Sequence, residues 1–311
     1  SSQCKWRWNQ ISKHNNPTRQ HHVPKVYLKN FCAKDGSIAV LDKTRNRVFS
    51  TGLEAVAVEK NFYTVDGLED PYCWEKAYAE SVEPMMSVLL PKIISRVHVL
   101  VQTGHCIINK DEKSQLALIM VMQLLRGKQS RAYEKKLFDE LLPSTIEKAK
   151  EKFGPLTDEQ QKRLDTFGTD PQFFKQISMG LTWDIERLTR YTNILMWHDF
   201  VFYHICGDME FVTSDNPVMF INSNTANAQP FANGLARKTT LIYYPLSPKL
   251  LLCAIHPNAF FQFFSDKDGC LCRLDATKEE SFIASMNRKQ RAQCHNQVFA
   301  LTQTTLEKIK L

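Results

Sequence analysis

The spacing of apolar residues changes once along this chain of 311 residues, and that change limits the folds it can adopt. From Pro71 to about His204, apolar side chains recur every three or four residues, which predicts helices with one buried face. After Gly207 they come in short runs, such as residues 239–244 and 250–255, which is typical of strands. The pattern predicts an α+β fold with a helical middle region.

A hairpin near the N-terminus adds strands to the predicted sheet. Residues 37–42 and 47–50 are short runs with β-branched side chains, and a polar turn separates them. Residues 23–31 predict a short helix entered through Pro24, because proline is favoured in the first helical turn. We therefore expect the helical middle region to pack on a mostly antiparallel sheet built from this hairpin and the C-terminal third of the chain.

The composition favours one integrated domain. No long linker rich in proline, glycine or serine interrupts the chain, so we predict a single α+β domain over residues 19–311 and a basic tail over residues 1–18. No apolar run approaches the roughly 18 residues that a membrane span needs, so we expect no membrane contact. The nine cysteines are scattered and odd in number, which favours free thiols in the cytoplasm. The oligomeric state stays open.

Basic residues are concentrated at the N-terminus. The first 34 residues contain seven of them, and no acidic residue precedes Asp35. The chain has 40 basic and 33 acidic residues, so this stretch accounts for the net charge of +7. Because lysine and arginine neutralise phosphates and Trp6 and Trp8 can stack on bases, the tail predicts contact with nucleic acid or another polyanion. A solvated tail without a partner is the alternative.

Histidine and aspartate supply the candidate catalytic groups. His21 and His22 can transfer protons, because an imidazole titrates near neutrality. The alternative is that Gln20 and His21 cap and anchor the helix at Pro24 by hydrogen bonds. Asp215 follows a predicted strand and can accept a proton, orient a histidine or bind Mg²⁺. The run Ser-Asp-Asn-Pro around Asp215 is also good turn chemistry, so a structural role is the alternative.

A second set of polar residues predicts substrate binding. Gln123 and Arg126 are one helical turn apart, and a guanidinium matches phosphate or carboxylate. Glu83 can pair with Arg126, which would make that pair structural. Ser214 and Asn216 carry hydrogen-bonding groups beside the candidate catalytic aspartate. These five residues are the predicted substrate-binding set.

The order of several short motifs resembles an uncharacterised family, domain of unknown function 4238, over about residues 20–302. The resemblance rests on Gln20-His21-His22-Val23-Pro24 with Tyr27-Leu28 and Phe31, on Asn61-Phe62-Tyr63, on Glu83, on Gln123 with Arg126, on Phe211 with residues 213–218, on Pro245-Leu246-Ser247-Pro248 and on Asn287. His22 stands where the family more often has tyrosine, and Gly127-Lys128 replaces its usual Thr-Pro. The resemblance implies no reaction.

Motifs of common metal and nucleotide sites are missing. Cys270 and Cys272 are separated by one residue, no second cysteine pair matches them, and no Walker loop or GxGxxG follows a strand. We therefore predict no structural metal site. The cofactor stays open, with Mg²⁺ at Asp215 as the candidate.

The leading hypothesis is a nuclease-like hydrolase, acting in defence or as a toxin, that cleaves a phosphodiester. In it His21 or His22 is the general acid/base, and Asp215 orients it or binds Mg²⁺. Arg126, Gln123 and Asn216 hold the phosphate. One alternative is a non-enzymatic nucleic-acid or protein-binding module whose polar motifs form a structural network. A nucleotide or NAD hydrolase is the other.

Overall fold

The computed structural model describes residues 18–99, 103–223, 234–259 and 268–310. Within these ranges the fold is α+β, as the spacing of apolar residues predicts. The basic tail lies outside the described residues except for Thr18. The division of the chain into this tail and a single domain over residues 19–311 stays a prediction. None of the helices described is both long enough and apolar enough to cross a membrane.

The N-terminal part of the chain contains the predicted short helix and hairpin. Its elements are β1 (Arg19–His21), α1 (Lys25–Leu28), β2 (Ser37–Asp42), β3 (Arg47–Gly52) and β4 (Val58–Lys60), with a 3-10 turn after α1. β2 and β3 pair antiparallel, and β1 pairs with β4. Pro24 precedes α1 and is not part of it.

The middle of the chain is helical. Its helices are α2 (Cys73–Ala77), α3 (Glu83–Val99), α4 (Lys110–Arg126), α5 (Lys128–Phe153), α6 (Asp158–Thr169), α7 (Pro171–Thr182) and α8 (Ile185–Met196). A π-helical turn, Tyr78–Val82, joins α2 directly to α3. α4 begins with a capping box, in which the Asn109 side chain accepts from the Glu112 backbone and the Glu112 carboxylate accepts from the Asn109 backbone.

The C-terminal part supplies most of the strands. They are β5 (Asp199–Cys206), β6 (Thr213–Ser214), β7 (Met219–Asn222), β8 (Thr240–Ser247), β9 (Leu250–Ile255) and β10 (Cys270–Asp275), followed by α9 (Glu280–Gln293), β11 (Gln297–Ala300) and α10 (Gln303–Glu307). One sheet has the order β10-β5-β9-β8-β7, and another has the order β3-β2-β11-β6. The hairpin therefore pairs with the C-terminal strand β11, as predicted.

The helical region ends earlier than the apolar spacing predicts. Residues 199–204, which that spacing assigns to the end of a helix, belong to β5. The reason is tertiary pairing, since β5 lies between β9 and β10 and its aromatic and β-branched side chains suit a buried strand. β10 runs parallel to β5, whereas the other pairs of this sheet are antiparallel.

Tyr27 connects the N-terminal motif to the C-terminal strands. It is fully buried and stacks on Tyr244, with ring centroids 5.1 Å apart. Its hydroxyl donates to the carbonyl oxygen of Pro245 at 2.6 Å and accepts from the hydroxyl of Thr213 at 2.6 Å. These contacts fix α1 against β6 and β8, more than 180 residues further along the chain. The N-terminal motif is thus held by the far end of the sequence.

Candidate functional site

Several sequence motifs meet at Arg126, the last residue of α4, whose side chain is 1% exposed. Its Nε donates to the hydroxyl of Tyr63 at 2.9 Å, and its Nη2 donates to the carbonyl oxygen of His21 at 2.8 Å. Nη2 also lies 3.7 Å from a carboxylate oxygen of Glu83, and the guanidinium carbon lies 4.1 Å from the ring centroid of Tyr78. Three of the sequence motifs thus meet at Arg126, through the side chains of Tyr63 and Glu83 and the backbone carbonyl of His21.

The π-helical turn and the two helices that it joins carry Tyr78, Glu83 and one further member of the cluster around Arg126, Glu75. Glu75 lies on α2, Tyr78 begins the π-helical turn and Glu83 begins α3. A π-helical turn within a helix is rare and is found frequently at functional sites. We call Tyr63, Glu75, Tyr78, Glu83 and Arg126 the Arg126 cluster.

Glu75 is the titratable group of the Arg126 cluster near neutral pH. Burial raises its pKa to about 7, the positive charge of Arg126 opposes that shift, and the carboxylate of Glu83 adds to it. A carboxyl group with this pKa is present in both its protonated and its ionised form near neutrality. It can therefore donate or accept a proton, as general acid/base catalysis requires.

Three polar atoms of the cluster have no hydrogen-bond partner within the part of the chain that the structure describes. They are Nη1 of Arg126, Oε2 of Glu75 and the hydroxyl of Tyr78. Burial also raises the pKa of the Tyr78 hydroxyl, which keeps it neutral and able to donate. Because an unpartnered buried polar atom costs about 1–3 kcal/mol, three of them in one cluster indicate a place for a polar ligand.

His21 and His22 lie beside the cluster with their rings turned to other groups. His21 Nδ1 donates to the carbonyl oxygen of Val56 at 3.0 Å. His22 is 2% exposed and packs on Phe62, with ring centroids 5.5 Å apart. Burial lowers the pKa of both imidazoles, with the charge of Lys25 adding to the effect at His21, so both rings are neutral at pH 7.

The two glutamines of the motifs hold backbone. Gln123 Nε2 donates to the carbonyl oxygen of His22 at 3.4 Å. Gln20 accepts from the backbone N–H of Tyr63 at 2.6 Å and donates to the hydroxyl of Thr64 at 2.8 Å. Together they fix the chain segments that carry the hydrogen-bond partners of Arg126. The predicted role of Gln123 in substrate binding stays a prediction.

Asp215 is placed on a different part of the fold. Its carboxylate accepts from three consecutive backbone N–H groups, those of His295 at 2.8 Å, Asn296 at 2.7 Å and Gln297 at 2.9 Å. Burial raises the pKa of Asp215, and these three donors oppose the shift because they stabilise the ionised form. Among the described residues its hydrogen bonds go to the chain that leads into β11, and the structure does not bring it to the Arg126 cluster.

The neighbours of Asp215 hold the same region together. Ser214 Oγ accepts from Gln290 Nε2 at 2.5 Å and from the backbone N–H of Asn216 at 3.0 Å. Asn216 Nδ2 donates to Gln129 Oε1 at 2.6 Å and to the carbonyl oxygen of Gln293 at 2.9 Å. The bond from the Asn216 N–H to Ser214 Oγ is the kind of local contact that the turn interpretation predicts, whereas the other partners lie more than 70 residues away along the chain. Roles of these residues in catalysis or substrate binding stay predictions.

Sequence reasoning missed Glu75 and Tyr78. Tyr78 is one of the apolar residues that define the helical spacing, which conceals its hydroxyl. Glu75 belongs to no recognised motif, and its only signal is a carboxylate beside Trp74 within that spacing. Their convergence with Arg126 depends on the π-helical turn, which sequence spacing does not predict.

Across the described ranges, no group of three or more histidine, cysteine, aspartate or glutamate side chains could hold a metal ion. A family model described as "Protein of unknown function (DUF4238)" matches residues 19–304. No curated protein and no solved structure matches the chain. The description of the family assigns no activity, so the geometry of the site has to carry the argument for function.

Proposed function

The chain belongs to this family of unknown function, DUF4238, and from that premise we propose that it is a hydrolase that cleaves a phosphoester at the Arg126 cluster. One observation carries the proposal. A buried guanidinium with an unpartnered Nη1 among the described residues stands beside a carboxyl group, Glu75, whose pKa is about 7. Anion binding and proton transfer are the two functions that phosphoester hydrolysis needs from side chains.

Arg126 binds the phosphate. Tyr63 and the carbonyl oxygen of His21 fix the guanidinium plane, which leaves Nη1 for an oxygen of the substrate. The Tyr78 hydroxyl provides a second donor against the same plane. A charge-assisted hydrogen bond in a buried site is stronger than one in water, because the local dielectric constant is low.

Glu75 transfers the proton. In its protonated form it donates to the leaving oxygen as the bond from that oxygen to phosphorus breaks, while water adds to phosphorus. The products are an alcohol and a phosphate that carries the water oxygen, and Glu75 regains its proton from solvent. Glu83 keeps the site close to neutral by offsetting the charge of Arg126.

Burial limits the substrate to a small group or a chain end. The Arg126 side chain is 1% exposed, whereas that of Glu83, on the same cluster, is 28% exposed. A phosphate that enters past Glu83 must therefore be terminal, as in a nucleotide or at the end of a strand. An internal phosphate of a duplex, which is flanked by the chain on both sides, cannot reach a guanidinium as buried as that of Arg126.

The wider role follows from this chemistry. A phosphoesterase that acts on nucleotides or strand ends suits a defence or toxin effector in the cytoplasm, the compartment that the free cysteines favour. His21 and His22 support Arg126 in this proposal through the backbone rather than through their rings. Whether turnover requires Mg²⁺ is tested by the assay below.

A binding module without catalysis is the second candidate. The observation that favours it is the use of the Ser214, Asp215 and Asn216 polar groups to hold backbone and neighbouring side chains. In that case the Arg126 cluster binds an anion and turns nothing over.

Turnover tests the proposal. Purified protein is incubated with single-stranded and duplex RNA and DNA, nucleotides and NAD, with and without Mg²⁺, and phosphate and polymer ends are quantified. We expect turnover of a phosphoester, and we expect Glu75→Gln to lower kcat by about 100-fold or more. Glu80→Gln is the matched control, because Glu80 is an exposed glutamate on the π-helical turn that follows α2.

The outcomes separate the candidates. Turnover that is equal in wild type and Glu75→Gln contradicts the role of Glu75. Phosphate binding without turnover of any substrate supports the binding module instead. Release of nicotinamide from NAD without phosphoester cleavage supports the NAD hydrolase.

A further inference from the structure

Two neighbouring cavities border α8. Their volumes are about 770 Å³ and about 840 Å³, and they share Ile194 and Ala236 as lining residues. The first cavity reaches from the end of α8 to His256, and the second reaches to Asn216 and the start of α5. We call this combined space the α8 groove. It is lined by residues other than those of the Arg126 cluster.

Aromatic rings are exposed along the α8 groove. Trp197 is 75% exposed at one end and Tyr133 is 50% exposed at the other, and both line it. Tyr191 also lines it, with the guanidinium carbons of Arg187 and Arg190 at 5.6 Å and 5.4 Å from its ring centroid. A large apolar ring exposed to water is costly, and aromatic side chains are the platforms on which unpaired bases stack.

The charge of the α8 groove is positive. Arg187, Arg190 and Arg237 line it, against one lining carboxylate, that of Glu186. Arg187 is paired with Glu134 at 2.9 Å. Arg190 and Arg237 form no ion pair with any described residue, so both charges are available to a polyanion.

His198 adds a directed hydrogen-bond acceptor to the α8 groove. Its Nδ1 donates to the carbonyl oxygen of Ile194 at 2.8 Å, which leaves Nε2 as the acceptor of a neutral ring. His198 is 1% exposed and lines the groove, and Nε2 has no partner among the residues that the structure describes. An acceptor of this kind suits an N–H group on the edge of a base.

We infer that the α8 groove binds single-stranded nucleic acid. Trp197 and Tyr191 stack on bases, Arg190 and Arg237 contact phosphates, and His198 accepts from one base edge. A duplex fits these features poorly, because its bases are already stacked on each other and cannot reach the rings. The inference adds a polymer substrate to the proposed function only if that function holds, and the binding itself does not depend on turnover.

Binding without turnover tests the inference. Fluorescence anisotropy follows labelled single strands of about 12 nucleotides, a length within known site sizes, in EDTA at several salt concentrations. We expect tighter binding of the single strand than of the matched duplex. Trp197→Ala should weaken binding by about 10-fold, which corresponds to the loss of one stacked base. Arg190→Gln and Arg237→Gln should each reduce the slope of log K against log salt by about 0.7.

Matched controls keep the result specific to the α8 groove. Phe153→Ala removes another exposed ring, and Arg45→Gln removes another exposed guanidinium, and neither residue lines the groove. Both should bind like wild type. A protein with Lys5, Arg7 and Lys13 changed to glutamine separates the groove from the N-terminal tail, and it should retain most of the binding.

Three outcomes overturn the inference. They are wild-type affinity in Trp197→Ala, equal affinity for duplex and single strand, and loss of binding in the tail variant with no loss in the groove variants. Failure of hydrolysis with binding intact contradicts the proposed function alone.

Discussion

Arg126 and Asp215 are both charged and nearly completely buried, but their surroundings differ. Three backbone N–H groups satisfy the carboxylate of Asp215, and all three lead into β11. Arg126 is also fixed by its neighbours, yet its Nη1 lacks a partner among the described residues, as does Oε2 of the adjacent Glu75. The difference separates a charge that holds the chain together from a charge that is positioned for a ligand.

The largest expected effect is the loss of the guanidinium. Arg126→Met removes the ion-pair partner of Glu83, the donor to the Tyr63 hydroxyl and one of the two donors to the carbonyl oxygen of His21, so it should lower the free energy of unfolding by about 3–5 kcal/mol. Urea unfolding measures the change. Arg163→Met, which removes an exposed guanidinium on α6, should change stability by less than about 1 kcal/mol. Equal effects of the two substitutions would contradict the central position of Arg126.

The second largest effect is expected for Asp215→Asn, which tests whether Asp215 holds the chain together. It weakens three charge-assisted hydrogen bonds to backbone, so the free energy of unfolding should fall by about 2–4 kcal/mol. Turnover per folded molecule should stay at the wild-type level, since Asp215 is outside the Arg126 cluster. A large loss of kcat in folded protein would instead support the catalytic role that the sequence predicts for Asp215.

The pH dependence of stability sharpens the account of Glu75. A carboxyl group whose pKa rises on folding binds more protons in the folded state, so stability falls as pH rises from its ordinary value of 4.5 to about 7. The fall amounts to at most about 3 kcal/mol. Glu75→Gln removes this pH-dependent fall. The free energy of unfolding of the variant, measured with urea, should therefore rise relative to that of wild type between about pH 5 and about pH 8.

Glu80→Gln is the control for that comparison, because Glu80 is an exposed glutamate on the π-helical turn that follows α2. The difference in free energy of unfolding between Glu80→Gln and wild type should be the same at about pH 5 and at about pH 8. If the difference in free energy of unfolding between Glu75→Gln and wild type does not change with pH, the pKa of Glu75 is not raised by folding.

Two tyrosines of the Arg126 cluster give the smallest effects and a matched pair. The Tyr63 hydroxyl accepts from Arg126 and donates to the carbonyl oxygen of His21, so Tyr63→Phe should cost about 1–2 kcal/mol. The Tyr78 hydroxyl has no partner among the described residues, so Tyr78→Phe should change stability by less than about 0.5 kcal/mol. Thermal unfolding compares them, and the reverse order would mean that the Tyr78 hydroxyl is not available to a ligand.

Local pattern predicts much of this fold. The hairpin β2–β3, the helix α1 and the helical middle region follow from spacing and turn chemistry. β5 does not, because an aromatic run becomes a strand only when β9 and β10 flank it. Long-range pairing of that kind is invisible to a short sequence window.

The candidate site, like the fold, can be predicted from the sequence only in part. The pairing of Arg126 with Glu83 can be anticipated from residue types, and the structure places the two 3.7 Å apart. The three backbone partners of Asp215 lie about 80 residues further along the chain, so residue spacing gives no signal for them. Glu75 is missed because its raised pKa comes from burial, which depends on the packed structure.

Direct titration of Glu75 tests the central claim most simply. Carbon-13 NMR of the glutamate carboxyl groups, assigned through the Glu75→Gln variant, follows each carboxyl as the pH changes. The account predicts that the Glu75 signal titrates with a pKa of about 7 and that added inorganic phosphate shifts it. A Glu75 pKa at its ordinary value of 4.5, unchanged by phosphate, would contradict the account.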